Sequence, residues 1–329
     1  MKTRAKIPFR ILWVTDPWDR MDQPRDTSLR LAEESLNLGH ENYWCNGRSV
    51  CLIEGQTKLQ AQRILKIEPA RTRESFLREP AQSYSPDFFS SIQYRTDPPV
   101  DLAYLHPLQL LVLGIQGKKR GPEIVNPPEV IFAQSEKLFA LPLKSIFPKS
   151  CVSSQWDTLR DFGRIQGKTV LKPLHQAQSK GVSLLEWAPE TEGACQLILE
   201  RATSGFTCPV LLQEYLAGIS EGEQRLWFLD GTLIAVARKL PLEGDFRVNI
   251  DRGSGLVATK LNPREKKAVP LLSKFLKTHK IRLAAIDLIE GFVTDFNFTS
   301  PGLITQMEKI TGENLARKIM QRLEKRAHF

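Results

Sequence analysis

The sequence predicts an α/β unit followed by an α+β module. Three observations carry this. Short β-rich runs alternate with helix-period stretches up to about residue 127, the pattern of a parallel, Rossmann-like sheet. Beyond about residue 130 the runs pair across tight turns, most clearly at Asp230-Gly231. The chain has 329 residues, 41% hydrophobic and 25% charged, which is globular composition and enough length for more than one core.

The first unit opens with Ile11-Leu12-Trp13-Val14-Thr15, a β-rich run ending at Asp16-Pro17. The spacing predicts a helix from Thr27 to Leu38, with Asp26 as N-cap and Gly39 as its stop. Strand-like pieces follow at Tyr43–Cys45, Val50–Ile53 and Arg63–Ile67. The polar stretch Glu68–Asp87 carries three prolines and is expected to be an exposed excursion. Phe88–Tyr94 resumes a strand, Leu102–Ile115 reads as a helix despite Pro107, and Glu123–Asn126 is a short strand closing at Pro127-Pro128.

In the second module a short helix is expected around Ser135–Leu141. Strands follow over Lys168–Leu174 and Gly181–Trp187, then a helix over Glu192–Ser204 and a strand over Val210–Tyr215. Arg225–Leu229 and Thr232–Arg238 form a hairpin about Asp230-Gly231. Asp245–Ala258 reads as a glycine-bearing loop, Arg264–His279 as an amphipathic helix, and Ile281–Phe298 as a second hairpin. Thr311–Arg326 is a closing basic helix.

Composition excludes several classes. The longest apolar run, Ala103–Ile115, contains His106, Pro107 and Gln109 and is far shorter than the ~20 residues of a membrane span. The basic start is followed by no apolar stretch of secretory length. Five scattered cysteines without C-x-x-C spacing favour reduced thiols, so a soluble, cytoplasmic protein is expected. The 46 Lys+Arg against 37 Asp+Glu leave a net charge of +9, which suits an anionic partner. The basic residues show neither aromatic interleaving nor a recognition-helix pattern, so the expectation is no nucleic acid and no membrane partner.

Chemistry concentrates in the second hairpin. Asp295 and Asn297 are two apart in an otherwise apolar strand and so share a face. Such groups cost free energy there unless they are paired or hold a metal. With Asp287 they form an oxygen set that suits Mg²⁺. A two-residue loop would pair Asp287 with Thr294, whereas a three-residue loop, Glu290–Phe292, pairs Asp287 with Asp295 and gathers all three. A polar strand face in water is the plain alternative. Lys172 lies inside the apolar strand Thr169–Leu174, where a phosphate is a natural partner for a buried ammonium. Lys137 begins the short helix, and snorkelling at a surface would explain either lysine alone.

These pieces join others into an ordered series. It runs Asp16-Pro17, Asp26-Thr27-Ser28, Arg95-Thr96-Asp97-Pro98-Pro99-Val100-Asp101, Val125-Asn126-Pro127-Pro128 and Ser135-Glu136-Lys137-Leu138-Phe139. It continues with Leu171-Lys172-Pro173-Leu174, Gln213-Glu214-Tyr215-Leu216, Arg225 before Asp230-Gly231, Arg247-Val248-Asn249 with Gly253, and the block from Asp287 through Asp295 to Pro301. In this order and spacing the chain resembles the prokaryotic glutathione synthetase family of ATP-grasp ligases, from about Ile11 to the C-terminus.

The resemblance implies a Rossmann-like pre-ATP-grasp substrate domain over 1–127. A two-lobed ATP-grasp domain over 128–329 would follow, its smaller lid lobe about 145–212. Lys137 and Lys172 would contact the ATP phosphates, and Gln213, Glu214, Tyr215 and Leu216 would hold adenine at a hinge. Arg225 would join the nucleotide side. Asp287, Asp295 and Asn297 would carry two Mg²⁺ ions, with Mn²⁺ as a substitute. Arg247 and Asn249 would stabilise the transferring phosphoryl group. Asp26, Thr27, Ser28, Arg95, Gly253, Thr299 and Ser300 would line the peptide side. The partners implied are ATP, a dipeptide and an amino acid, in a homo-oligomer. The family reaction phosphorylates the carboxylate of γ-glutamylcysteine, and the amine of glycine then attacks the acyl phosphate. That chemistry needs charge neutralisation and positioning more than a protein nucleophile.

The chain departs from the family pattern in places. Where the family has Asp-Gly-x-Gly-Gly, this sequence reads His175-Gln176-Ala177-Gln178-Ser179-Lys180-Gly181, leaving one glycine and offering Ser179 and Lys180 as donors. Asp295 stands for a metal-binding Glu, and Thr96 for a basic residue. The glycine-rich acceptor loop has become Asp251-Arg252-Gly253-Ser254-Gly255. A degenerate ATP-grasp protein that binds a peptide or nucleotide without turnover is the alternative.

Overall fold

The computed structural model describes residues 8–21, 23–70, 75–118, 121–174, 176, 179–242, 248 and 253–326. Two compact units are found, one of residues 1–132, 280–283 and 299–329, the other of 133–279 and 284–298.

In the first unit β1 (Arg10–Thr15) is the buried centre of the sheet. Asp26 caps α1 (Thr27–Asn37) by accepting from the Leu29 amide at 2.9 Å, as the sequence predicts. β2 (Glu41–Asn46) lies parallel to β1. β3 (Val50–Ile53) and β4 (Gln56–Ile67) form a hairpin about Glu54-Gly55. Within the expected excursion, β5 (Phe76–Arg78) and β6 (Gln82–Tyr84) both pair along the twelve-residue β4. β7 (Ser91–Arg95) returns beside β1, in parallel. α2 (Leu102–Ile115) keeps both predicted ends and carries Pro107 inside. β8 (Glu123–Val125) is parallel to β7, and α3 (Pro128–Ala133) follows.

In the second unit Ser135–Leu141 is a run of turns, not the expected helix. The Leu138 and Phe139 amides both donate to the Ser135 carbonyl, and the Phe139 ring packs among Phe275, Phe296 and Phe298. Aromatic packing, rather than helix propensity, places Lys137. Next come β9 (Ser150–Ser153), α4 (Trp156–Gln166), β10 (Lys168–Pro173), β11 (Ser183–Glu186), α5 (Glu192–Ala202) and β12 (Val210–Glu214). The strands form an antiparallel sheet in the order β11-β10-β12-β9. Its core gathers Leu159, Leu171, Trp187, Leu199 and Leu212. β9 and α4 escaped the sequence reading. The N-cap of α4 is Gln155, whose side chain makes no capping hydrogen bond, so the usual start signal is missing.

The second sheet contains β13 (Glu223–Leu229), β14 (Thr232–Leu240) and β15 (Gly255–Ala258), the last inside the segment expected as loop. The helix α6 (Pro263–Thr278) carries a full capping box between Asn262 and Glu265. β16 (Leu283–Ile289) and β17 (Phe292–Asn297) complete the sheet, ordered β15-β14-β13-β16-β17. The expected closing helix is α8 (Leu315–Arg326), starting four residues later than read, and a helix absent from the sequence reading, α7 (Ile304–Thr311), precedes it and ends at Gly312 with φ +72°.

The β16–β17 turn corrects the parity argument. Ile289 pairs with Phe292, so the loop is the two residues Glu290-Gly291, both at positive φ. A bulge then inserts Thr294, which restores Asp287 opposite Asp295. The expected pairing is reached by a two-residue loop plus a bulge. β13–β14 repeats the device, with Asp230-Gly231 at positive φ and a bulge between Trp227 and Phe228.

Candidate active site

One face of the five-stranded sheet carries a row of charged side chains. Glu223 and Lys239 are cross-strand partners, and their side chains meet at 2.5 Å. Arg225, two residues from Glu223, shares its face and grips Asp287 with two hydrogen bonds, Nε to Oδ1 at 2.8 Å and Nη2 to Oδ2 at 2.6 Å. Lys239 Nζ also donates to Asp287 Oδ2, at 2.9 Å. Asp287 is 1% exposed. Burial pushes its carboxyl up, but Arg225 and Lys239 outweigh burial and hold it well below the usual carboxylate range.

Two lysines from other segments reach β17. Lys137 Nζ donates to Asp295 Oδ1 at 2.8 Å. Burial works against its charge, yet the nearby Asp295 raises it above the ordinary lysine value. Lys172 Nζ donates to the Thr294 carbonyl and to Gln213 Oε1, each at 2.7 Å. The bulge supplies that acceptor, since a bulged residue is left out of the ladder. Burial, and then the charge of Lys137, push Lys172 down to about 8. Gln213 is 2% exposed, and its Nε2 makes no hydrogen bond among the described residues.

The residues present fit a divalent ion at one place. Asp295 Oδ2 and the Asn297 side-chain oxygen accept no hydrogen bond among the described residues, and both residues lie half-buried on one strand. Oxygen donors of this kind suit Mg²⁺. Asp287 differs, because three N–H groups already occupy its two oxygens.

Other predicted residues fall as follows. Ser179, Lys180 and Gly181 form a turn just before β11, with Ser179 and Gly181 at positive φ. Glu214 to Leu216 leave β12, with the Glu214 amide on the Lys149 carbonyl and the Tyr215 amide on the Lys168 carbonyl. Gly253 sits before β15 at φ +97°. Arg247 and Asn249 lie outside the described residues. In the first unit the expected peptide-side residues come together. Arg95 Nε donates to Ser28 Oγ and Nη2 to the Pro301 carbonyl, both at 2.8 Å. Ser300 Oγ donates to the Arg95 carbonyl, and Thr27 Oγ1 accepts from the Ile304 amide. Asp26 caps α1, and Thr299 is buried beside this network.

Sequence reasoning missed Glu223 and Lys239. Arg238-Lys239 reads as a basic pair on a surface strand. The signal was the period of two through Ala235 and Ala237, both buried, which puts Lys239 on the inner face.

A model of the prokaryotic glutathione synthetase ATP-grasp domain matches residues 136–312, and one of the N-terminal domain of the same proteins matches residues 9–131. The chain belongs to the prokaryotic glutathione synthetase family. A glutathione synthetase of Nostoc sp. is 29% identical over 325 residues, covering 96% of this chain and 98% of its own. Among solved structures, a D-cycloserine synthetase superposes with a TM-score of 0.63 at 16% identity, covering 97% of this chain and 99% of its own. The D-alanyl-alanine synthetase A of Vibrio cholerae gives 0.62 at 14%, covering 99% and 100%. These likenesses show the ATP-grasp fold. Family membership carries the reaction class, an ATP-dependent ligase that joins a carboxylate to an amine with a C–N bond.

Proposed function

We propose that this chain activates the carboxylate of a γ-glutamylcysteine-like peptide with ATP and joins it to an amine such as glycine. The observation that supports this is the convergence of Lys137, Lys172, Arg225 and Lys239 on the strand face that carries Asp295 and Asn297. Lys137, Arg225 and Lys239 are paired with Asp295, Asp287 and Glu223, whereas Lys172 makes no ion pair among the described residues and is the cation free for a polyanion.

The substrate carboxylate oxygen attacks the γ-phosphorus as the bond to the β,γ-bridging oxygen breaks, releasing ADP. The amine then attacks the acyl carbon, phosphate leaves with the C–O electron pair, and the nitrogen gives up a proton. Lys137 and Lys172 bind phosphate oxygens and offset the charge that builds on ADP. Arg247 and Asn249 steady the transferring group. Glu214 to Leu216 hold the adenine, with Ser179, Lys180 and Gly181 over the phosphates. Asp295 and Asn297 would hold Mg²⁺, which when bound supplies neutralisation of phosphate charge. Asp26, Thr27, Ser28, Arg95, Thr299 and Ser300 form the peptide side, with Gly253 toward the acceptor amine. The domain assignment that goes with this reading is a substrate domain over 1–127 and an ATP-grasp domain over 128–329 with a lid of about 145–212.

The test is ADP release with Mg-ATP, γ-glutamylcysteine and glycine, repeated on Lys172→Ala and Asp295→Ala. Turnover in the native chain, lowered at least a hundredfold in each variant, supports the reading. Nucleotide stabilisation in a thermal melt without ADP release points to the binding-only alternative. Turnover with other dipeptides keeps the reaction and discards the substrate.

A further inference from the structure

The environment of Asp287 departs from the two-ion expectation. Its carboxylate has room for about four hydrogen bonds, and Arg225 and Lys239 supply three of them. Lys239 is 5% exposed and sits at its post by strand register, opposite Glu223, whose other oxygen accepts from Thr294 Oγ1 at 2.6 Å. An ammonium with carboxylates on two sides is held where a cation is called for. A divalent ion drawn to the same carboxylate would face both Lys239 and Arg225 at close range, in a place with little water to screen the repulsion. Asp295 faces a single ammonium, Lys137 on Oδ1, and its Oδ2 and the Asn297 side-chain oxygen accept no hydrogen bond among the described residues.

We propose that the Lys239 ammonium takes the place of one of two divalent ions, so that this site works with a single ion on Asp295 and Asn297. Asp287 is then the internal counter-ion that holds Arg225 and Lys239 in position. This inference rests on the nucleotide-binding reading above. Its consequence for the reaction is that part of the charge around the phosphates is supplied by a fixed side chain. The requirement for free divalent metal beyond the metal–nucleotide complex falls accordingly.

Counting ions tests this without turnover. Mn²⁺ is titrated into the full chain with a saturating, slowly hydrolysed ATP analogue, and bound ions are counted from the loss of the free Mn²⁺ EPR signal. Nucleotide binding is measured separately by calorimetry. One ion per bound nucleotide is expected for the native chain and for Lys239→Arg, and two for Lys239→Met. Two ions on the native chain overturn the proposal, as does a folded Lys239→Met that still binds one. Should Lys239→Met fail to fold by circular dichroism, the native count decides alone, one supporting and two overturning. No bound nucleotide at all overturns the ligase reading and this inference with it, whereas nucleotide bound with two ions overturns this inference only.

Discussion

Asp295 lies directly opposite Asp287 across the β16–β17 pair, yet the two carboxylates answer to different cations, Lys137 for the first and Arg225 with Lys239 for the second. Asp287→Asn leaves Arg225 without its charged partner and Lys239 with Glu223 alone, in a dry setting. The expected loss is about 3–5 kcal/mol, read from urea denaturation. Because the folded carboxyl titrates well below its ordinary value, its stabilisation is fully present above the unfolded pKa near 3.8 and is lost as pH falls through the lower folded value. The native chain and Asp287→Asn therefore converge in stability under acid, and parallel stability curves below pH 4 would count against this.

Lys172 titrates at about 8 against an ordinary 10.5, pushed down by burial and by Lys137. Between those values the folded chain binds fewer protons than the unfolded one, so stability from this group rises with pH across that window. Nucleotide affinity runs the other way, falling up to tenfold per unit above about pH 8 as the ammonium is lost. Calorimetric titration of ATP between pH 7 and 9.5 should show this fall in the native chain, with a flat profile in Lys172→Arg.

Gln213→Glu places a carboxylate where Gln213 Oε1 now accepts from Lys172 at 2.7 Å. An opposite charge at that distance raises a lysine pKa by about one unit or more. The midpoint of the affinity profile should move to higher pH by about that amount. An unmoved midpoint would separate the titration from Lys172.

Gly163 is packed under Trp187, and a Cβ built on it would lie 2.0 Å from the indole. Trp187 Nε1 donates to Thr169 Oγ1 at 2.8 Å, so the ring cannot step aside without losing a buried bond. Gly163→Ala should cost about 1–3 kcal/mol. The loss should appear in denaturant unfolding followed by tryptophan fluorescence.

Much of the fold was legible because its signals are local. Asp26, Asp230-Gly231 and the apolar run of β16 each announce an element within a few residues. The bulge at Thr294 was not legible, since a bulge leaves no mark on the alternation until pairing is known. Lys137 was read onto a helix because its segment has helical spacing, whereas the ring cluster around Phe139 settles its course. In the site, Lys172 and Asp295 stood out as polar residues in apolar strands. Lys239 did not, because its partners Glu223 and Asp287 lie 16 and 48 residues away in the chain and meet it only across the sheet.

The charged row also guards the way this sheet is put together. A slip of one residue between β13 and β14 would turn Lys239 to the opposite face and take from Glu223 its one cation among the described residues and from Asp287 one of its two. Glu223 would then be a half-buried carboxylate without an ammonium, a cost that the misaligned strand does not repay. The same side chains that arrange charge around a nucleotide thus act as a proofreading mark for assembly, rejecting a misaligned hairpin before any ligand arrives.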